Sequence, residues 1–332
     1  MKNTLQNNSQ SLLYLQANKL TADDLTKEVE YLILNFLVKE SLNVFFAKAG
    51  QGKSWLMLSL ATTLLKSEKI GQCFYLDMDN SMMALKSRKL NDITEQYPDL
   101  FYIHSSKIDE SPRSILERLS YDASQNKGAF EDTLFIFDSI RDFMGGRDMN
   151  SDRDILPLMA ELKTLREAGA TVIFLHHTTK ESDGQQFKGS TSFIDSVDVA
   201  YALSSTRSGN KLSYTLNVHK DRLSVDNSAF ELNTETMTLT SENMQLARMS
   251  ENEANFTLCV TEVLQSNTDG LTQSNLLQAI GKNSNDKTAR KYLKKFSGEM
   301  WRTEKRAQEN NATYYFPLDA PNLPNLPTPI PA

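Results

Sequence analysis

The feature that most constrains the fold is an alternation of short apolar runs with amphipathic segments between about residues 42 and 245. Five of these runs have the length and the continuous apolar character of strands buried on both faces. They lie at residues 43–47, 72–78, 100–104, 133–137 and 171–176. Segments with helical periodicity separate them at 53–66, 81–90, 112–123 and 155–168. This order predicts an α/β fold in which a twisted, mostly parallel sheet carries helices on both faces.

The remaining patterns divide the chain into four predicted regions. These are an N-terminal arm at 1–40, the α/β domain at 41–247, a winged-helix domain at 250–317 and a Pro-rich flexible tail at 318–332. In the arm, helical spacing of apolar residues predicts a helix at 26–39, which belongs to the core or docks on a neighbour. Late in the α/β domain, four strand-like runs predict an antiparallel extension of one sheet edge. They lie at 199–204, 212–219, 229–232 and 237–240. The winged-helix prediction rests on three helical segments followed by a strand-like pair.

Composition limits the class of protein. A length of 332 residues corresponds to about two domains, and an apolar content of 39% is sufficient for a packed core. The sequence has no apolar stretch long enough to cross a membrane, and its first residues do not resemble a secretory signal. Cys73 and Cys259 are too few for a disulfide framework or a zinc site, so we expect a cytoplasmic protein without a membrane partner. The net charge of −6 disfavours bulk coating of nucleic acid but is compatible with a local basic site.

The strongest chemical signal lies where the first predicted strand meets the first predicted helix, at residues 47–54, AKAGQGKS. Small residues let backbone N–H groups surround a phosphate, a lysine reaches the outer phosphate oxygens, and a hydroxyl holds Mg²⁺. This pattern predicts that Lys53 and Ser54 bind ATP together with Mg²⁺. The predicted ATP-binding residues are Ala49, Gly50, Gln51, Gly52, Lys53, Ser54 and Trp55. Ala47 stands where the usual pattern has its first glycine, which matters if that position requires φ > 0.

Carboxylates follow two further predicted strands. Asp138 ends an apolar run, where it can face the ligand crevice and orient a water bound to Mg²⁺, so Ser54 and Asp138 are the predicted metal-binding pair. Asp79 follows the strand after the phosphate-binding segment and is our preferred general base. Asp77 shares its face of the strand and is the alternative. Both carboxylates would also suit a helix cap near Ser81.

A histidine pair ends the run at 171–176. His176 and His177 are candidate sensors that hydrogen-bond the terminal phosphate and move when it leaves. The polar, Gly-containing segment 181–192 follows, and it is either a loop that grips a DNA backbone or a mobile surface loop. The DNA-contact candidates of this region are Lys180, Lys188, Gly189, Ser190 and Thr191.

Two further groups of cations stand apart from these motifs. Lys220 and Arg222, at the end of a late strand, either reach a phosphate bound by the next subunit or belong to a solvated charged turn. The third helix of the C-terminal region, 284–296, has five cations against one acid. Its predicted DNA contacts are Lys287, Arg290, Lys291 and Lys294. Such a helix can enter a major groove, although winged-helix domains also dock on proteins.

In this order the motifs resemble the RecA-like hexameric replicative helicases, particularly the plasmid RepA-like and DnaB-like group, over about residues 42–240. The resemblance implies that Asp138 is the Walker-B aspartate and that Asp79 replaces the glutamate usual in the family. The run His-His-Thr-Thr-Lys at 176–180 matches the RepA-like branch closely. By the same resemblance, Lys220 and Arg222 act on the neighbouring subunit, and residues 188–191 line a central channel that holds single-stranded DNA.

On this resemblance, the leading prediction is an ATP-dependent, ring-forming DNA helicase that translocates on single-stranded DNA in plasmid, phage or mobile-element replication. We expect a homo-hexamer whose partners are single-stranded DNA, duplex origin DNA through the winged helix, and a primase or an initiator. The alternative is a RecA-like DNA-dependent ATPase that mediates recombination or acts as a nucleotide-switched regulator without unwinding. A partitioning or loading factor is a third interpretation.

Overall fold

The computed structural model of the protein describes residues 10–22, 25–26, 28–178, 191–306, 312–318 and 328–329. Its helices are α1 Gln10–Ala17, α2 Lys53–Lys66, α3 Met82–Ser87, α4 Leu90–Gln96, α5 Pro112–Gln125, α6 Asp152–Glu167, α7 Ser192–Ser196, α8 Met244–Ala247, α9 Glu251–Gln265, α10 Gln273–Ala279 and α11 Lys287–Lys295. Its strands are β1 Tyr31–Ile33, β2 Leu37–Val38, β3 Leu42–Ala47, β4 Gln72–Asp77, β5 Leu100–His104, β6 Thr133–Asp138, β7 Thr171–His177, β8 Val199–Ser208, β9 Lys211–Asp221, β10 Ser228–Asn233, β11 Thr238–Glu242, β12 Leu271–Thr272, β13 Trp301–Arg306, β14 Ala312–Pro317 and β15 Thr328–Pro329.

A large sheet forms the centre of the molecule. Among the described residues its strand order is β15-β11-β10-β9-β8-β3-β7-β6-β4-β5. The strands from β8 to β5 run parallel to one another, whereas β9, β10, β11 and β15 are antiparallel to their neighbours. Every residue of β3 and β6 is buried, which explains their uninterrupted apolar character. The predicted α/β fold and its antiparallel extension are therefore confirmed.

Helices cover both faces of this sheet. Successive side chains of β3 point to opposite faces of the sheet, so Phe45 packs in one apolar cluster and Phe46 packs in another. The first cluster includes residues of α2 and α4, and the second includes residues of α5 and α6. Functional side chains can therefore gather where the parallel strands end, at their carboxyl edge.

The prediction of a helix at 26–39 is wrong. The segment contains the antiparallel pair β1 and β2, with Asn35 at φ 54° in the connection. Phe36 contacts the rings of Phe45, Tyr201 and Phe230, and its carbonyl accepts a hydrogen bond from the Tyr201 hydroxyl. Dense apolar residues have the same pattern in a buried helix and in a short strand pair, so periodicity did not separate the two. Residues within 31–38 therefore pack in the same apolar cluster as Phe45 of β3.

Two other helices differ from the expectation. The helix predicted at 81–90 is divided into α3 and α4, because Lys89 adopts the left-handed conformation at φ 53°. In the arm, α1 lies earlier than the predicted helix, and none of its residues is buried.

The C-terminal module, residues 250–317, contains three helices followed by a hairpin, as the sequence predicts. The hairpin strands β13 and β14 form a three-stranded sheet with β12. Trp301 lies under the helices, where its Nε1 donates to the carbonyl of Leu293 at 3.1 Å. The assignment of this module to the winged-helix class stays a prediction.

Residues 307–311, between β13 and β14, lie outside the described residues, as does most of the predicted tail. The described part of the tail, β15, pairs with Thr240 and Ser241 of β11. No helix in the described part of the chain is sufficiently long and apolar to span a bilayer.

Candidate nucleotide-binding and catalytic site

The loop between β3 and α2 has the backbone of a phosphate cradle. Gly50 and Gly52 have φ values of 82° and 70°, which side chains rarely adopt. A Cβ atom on Gly52 would lie 2.7 Å from the hydroxyl of Tyr214, and this hydroxyl donates to the Gly52 carbonyl at 3.0 Å. Gly52 is therefore required both by its dihedral angle and by the close approach of Tyr214. Ala47 ends β3 in a strand conformation, so the missing first glycine causes no strain here.

Lys53 extends into this loop from the first residue of α2. Its Nζ lies 3.3 Å from the carbonyl of Ala47, 3.4 Å from that of Lys48 and 3.4 Å from Nδ1 of His177. Burial lowers the pKa of Lys53, and the carboxylates of Asp138 and Asp79 oppose this shift. The ammonium group is thus held inside a partly desolvated cradle, where its attraction for a phosphate is less screened by water.

Ser54 and Asp138 form the predicted metal-binding pair. The Ser54 hydroxyl donates to Asp138 Oδ2 at 2.6 Å, and the Tyr75 hydroxyl donates to the same oxygen at 2.9 Å. Asp138 is 2% exposed, and burial raises its pKa to about 6. A hydroxyl and a carboxylate oxygen are ligands or water-orienting groups that Mg²⁺ favours. The chemistry of this pair therefore fits a magnesium ion that enters with a nucleotide.

The two carboxylates that follow β4 have different surroundings. Asp77 is fully buried and accepts hydrogen bonds from the Tyr102 hydroxyl at 2.5 Å and from the backbone N–H groups of Asp79 and Asn80. The Asp79 side chain is 54% exposed, and its Oδ2 lies 3.9 Å from Nε2 of His177. Asp77 therefore anchors the loop, whereas Asp79 faces the cleft, as our preference between the two requires.

An open cleft of about 390 Å³ lies above these groups, within the usual size range of ligand sites. All of the predicted ATP-binding residues line it, together with Asp79, Asp138 and His177. Sequence reasoning missed five other lining residues. These are Asn80, Arg88, Ser205, Arg207 and Leu212. Asn80 adjoins Asp79 and could have been found by its position, but the others carry no signal in the sequence.

Arg88 and Ser205 illustrate how distant elements complete the cleft. The Arg88 guanidinium donates to Asn80 Oδ1 at 2.9 Å and lies 5.7 Å from the ring centroid of Trp55. Ser205, on β8, donates its backbone N–H to Gln51 Oε1 at 2.7 Å. Ser205 of β8 thus supports the phosphate loop, while Arg88, directly after α3, contacts Asn80 and Trp55 beside it.

Comparison with known families agrees with this geometry. A family described as an AAA domain (AAA_25) matches residues 8–183, just over half of the chain, and this span includes β3, the phosphate loop, β6 and β7. The chain belongs to this AAA domain family. No curated protein matches the chain. Family membership and the phosphate loop together identify the AAA domain of this protein as a P-loop ATPase, a class that uses nucleotide and typically Mg²⁺.

In this AAA domain protein, the two histidines that end β7 face different surroundings. His177 lines the cleft with its side chain 34% exposed. His176 is 1% exposed, and its ring packs against Phe193 of α7 with a centroid distance of 5.2 Å. Only His177 is therefore brought to the cleft, while His176 lies behind it.

Lys220 and Arg222 of the AAA domain protein lie far from its own phosphate loop. The phosphate loop follows the last residue of β3, whereas Val199 pairs with Asn43, near the first residue of that strand, and with Asp221 of β9. Lys220 and Arg222 therefore lie at the end of the strands that is remote from the phosphate loop. Lys220 Nζ donates to the carbonyls of Ile194 and Asp195 at 2.7 Å each, and Arg222 donates to Asp195 at 3.2 Å. The pair is thus bound to the end of α7, where helix carbonyls favour cations.

The predicted DNA contacts divide into two groups. Lys180, Lys188, Gly189 and Ser190 lie outside the described residues, and Thr191 is an exposed residue directly before α7. The predicted cations of α11 are all exposed, whereas Ala289 and Leu293 of the same helix are buried. Asp286 caps this helix by accepting from the backbone N–H groups of Thr288 and Ala289.

Proposed function

We propose that the protein is an ATP-driven DNA helicase that assembles into a homo-hexameric ring and translocates on single-stranded DNA during replication of a plasmid, phage or other mobile element. The observation that carries this proposal is the position of Lys220 and Arg222. They lie at the end of the parallel strands that is remote from the chain's own nucleotide cleft, and that cleft is open. Cations placed in this way can serve the cleft of an adjacent subunit. A closed ring lets every subunit both receive and supply them.

Within one subunit, the cleft residues have complementary roles in hydrolysis. Lys53 and the loop N–H groups would bind the outer phosphates, and Ser54 and Asp138 would hold the magnesium ion. Magnesium supplies charge neutralisation on the phosphate oxygens. Asp79 accepts a proton from the attacking water, and His177, close to both Lys53 and Asp79, hydrogen-bonds the terminal phosphate.

DNA binding is assigned to two regions. Residues 180–191 would contact single-stranded DNA, and α11 would contact DNA through its exposed cations. The negative net charge is compatible with DNA binding, because only a few cations need to contact the DNA at one time and a motor must also release it.

A nucleotide-switched DNA-binding protein that does not unwind is the second candidate. The exposed basic face of α11 favours it, because such a face can hold a protein at one duplex site. Strand displacement on a forked duplex separates the two candidates. ATP hydrolysis that is stimulated by single-stranded DNA and accompanied by displacement supports the helicase, whereas hydrolysis without displacement supports the switch.

Mixing two inactive variants tests the contribution of a neighbour directly. Lys53→Met removes the phosphate-binding lysine and Arg222→Met removes a cation at the remote end of the strands, so each variant alone should lose ATPase activity. Random assembly of an equal mixture should restore about a quarter of the wild-type rate, because an intact cleft then meets an intact Arg222 at that fraction of interfaces. No recovery from two folded variants would contradict action between subunits.

A further inference from the structure

Asn80 occupies the centre of the hydrogen-bond network under the nucleotide cleft. Its side-chain Nδ2 lies 3.3 Å from Ser54 Oγ, 3.3 Å from Asp138 Oδ2 and 3.0 Å from Asp77 Oδ1. Its Oδ1 accepts the hydrogen bond from Arg88 at 2.9 Å. One amide therefore contacts both members of the predicted metal-binding pair and a cation that lines the cleft.

The backbone of Asn80 is held as firmly as its side chain. Its N–H donates to Asp77 Oδ1 at 3.0 Å, and its carbonyl accepts from Nε2 of His104 at 2.9 Å. His104 ends β5, so the residue is fixed from two neighbouring strands. A stacked ring pair supports the same arrangement, because Tyr75 and Tyr102 lie 4.7 Å apart and donate to Asp138 and Asp77 respectively.

The chemistry of the position calls for an amide. Donors are needed towards Asp77 and Asp138, two buried carboxylates, while an acceptor is needed towards Arg88. A carboxylate in place of Asn80 would satisfy the arginine but would repel Asp77 and Asp138 in a site of low dielectric constant. An apolar side chain would leave both carboxylates with one donor fewer.

Three side chains donate to the same oxygen of Asp138, namely Ser54, Tyr75 and Asn80. Three donors on Oδ2 restrict rotation of the carboxylate group, which sets the direction of its other oxygen. Of these donors, Asn80 is the one that also bonds Arg88. Asn80 therefore links the Arg88 guanidinium to the Asp138 carboxylate.

We propose that Asn80 is a positioning residue for ATP hydrolysis, which aligns the Asp138 carboxylate and the Arg88 guanidinium as one hydrogen-bonded unit. The proposal rests on ATP hydrolysis in this cleft and does not depend on DNA binding or on strand displacement. The contacts of Lys53 Nζ are with Ala47, Lys48 and His177 and not with Asn80. We therefore expect loss of Asn80 to lower the turnover rate and the metal-dependent part of nucleotide binding, and to leave metal-free binding nearly unchanged.

The test uses Asn80→Ala and Asn80→Asp in the full chain, with Asn91→Ala as the matched control. Asn91 is an exposed asparagine of α4 whose side chain bonds its neighbour Asp92. In Asn80→Ala we expect kcat to fall roughly 10- to 100-fold, as for loss of a preorganised group, and KM for MgATP to rise by no more than about tenfold. Asn80→Asp, which keeps the shape and the acceptor for Arg88, should fall at least as far because it adds charge beside Asp138. Asn91→Ala should match wild type.

Binding of a fluorescent, non-hydrolysable ATP analogue supplies a readout independent of turnover. Its affinity in EDTA should stay within about twofold in Asn80→Ala, whereas the gain on adding Mg²⁺ should shrink by about tenfold. A residue that only maintains the fold would lower both affinities and the melting temperature together. Such a result, or a wild-type gain with Mg²⁺ in either Asn80 variant, would overturn the proposal.

A double-mutant cycle tests the link to Arg88. Arg88→Ala alone should lower kcat, and adding Asn80→Ala should cost much less than it does in the wild-type background. Fully additive losses would show that the two residues act separately, against the proposal. This cycle uses basal ATP hydrolysis, so a protein that hydrolyses ATP but never unwinds DNA would refute the helicase and leave the role of Asn80 intact.

Discussion

The nucleotide cleft and the outer face of α11 both concentrate charge, but they do so in opposite ways. In the cleft, Lys53 and Asp138 are buried and each is held by partners contributed from several elements. On α11, cations such as Lys287 and Lys291 project from one short helix into solvent. Desolvated charges interact strongly and only at defined distances, whereas exposed charges act weakly, collectively and under screening by salt. The cleft is therefore suited to chemistry and the α11 face to reversible binding of a polyanion.

The largest expected effect is in the cleft. Lys53→Met should reduce ATP hydrolysis by more than about 100-fold, because the variant loses a desolvated cation that meets the transferring phosphate. Steady-state ATPase measurements at low and high salt provide the check, and the loss should be similar at both. The control is Lys66→Met, which removes an exposed lysine from the other end of the same helix. A loss that disappears at high salt would mean that the cleft acts through screened charge, like α11.

An intermediate effect is expected on α11. Replacing its four predicted DNA contacts with glutamine should weaken DNA binding at least about tenfold at low salt and reduce the slope of log affinity against log salt by up to about four. The substituted residues are Lys287, Arg290, Lys291 and Lys294. Fluorescence anisotropy over a salt series measures both quantities, and ATP hydrolysis without DNA should stay unchanged.

A charge-matched control keeps this test specific. Glutamine at Lys66, Lys86, Lys107 and Lys127 removes four exposed lysines from other surfaces and the same formal charge. Equal weakening by both quadruple variants would show that net charge, and not the α11 face, accounts for DNA binding.

The smallest expected effect concerns Glu253, which links α11 to the start of α9. Its carboxylate lies 2.5 Å from Lys295 Nζ and accepts from the backbone N–H of Ser250 at 3.0 Å, and these bonds lower its pKa to about 2. Because the folded pKa is below the usual 4.5, the ionised carboxylate stabilises the module above about pH 4.5. This contribution is lost as the pH falls from 4.5 towards 2.

Glu253→Gln should therefore lower the melting temperature at pH 7 by roughly 2–4 °C, the scale expected for loss of a helix cap in a chain of this size. Near pH 2.5 the difference from wild type should be small. Thermal melts monitored by circular dichroism across this pH range are the measurement. An undiminished difference at pH 2.5 would indicate that packing of the side chain, not its charge, is responsible.

Local signals in the sequence were sufficient for the elements whose structure depends on near neighbours. The strand, turn and helix from Leu42 to Lys66 follow the apolar pattern, and Lys53 and Ser54 follow from the spacing of the loop glycines. The segment 26–39 was mispredicted, because its strand pair is stabilised by contacts of Phe36 with residues as distant as Phe230. Arg88 and Ser205 had no local signal, since each enters the cleft from a separate element.

The amino-acid order alone was enough to place a phosphate loop between a buried strand and a helix, since dihedral angles and periodicity are properties of neighbouring residues. The sequence already favoured Asp79 over Asp77, but packing of the sheet was needed to separate His177 from His176. Parallel pairing brings Asp77 beside Asp138 and Ala47 beside His177. Burial then turns one carboxylate and one histidine inward and leaves their neighbours at the cleft. Such choices depend on which strands are adjacent, a relation between residues far apart in the chain.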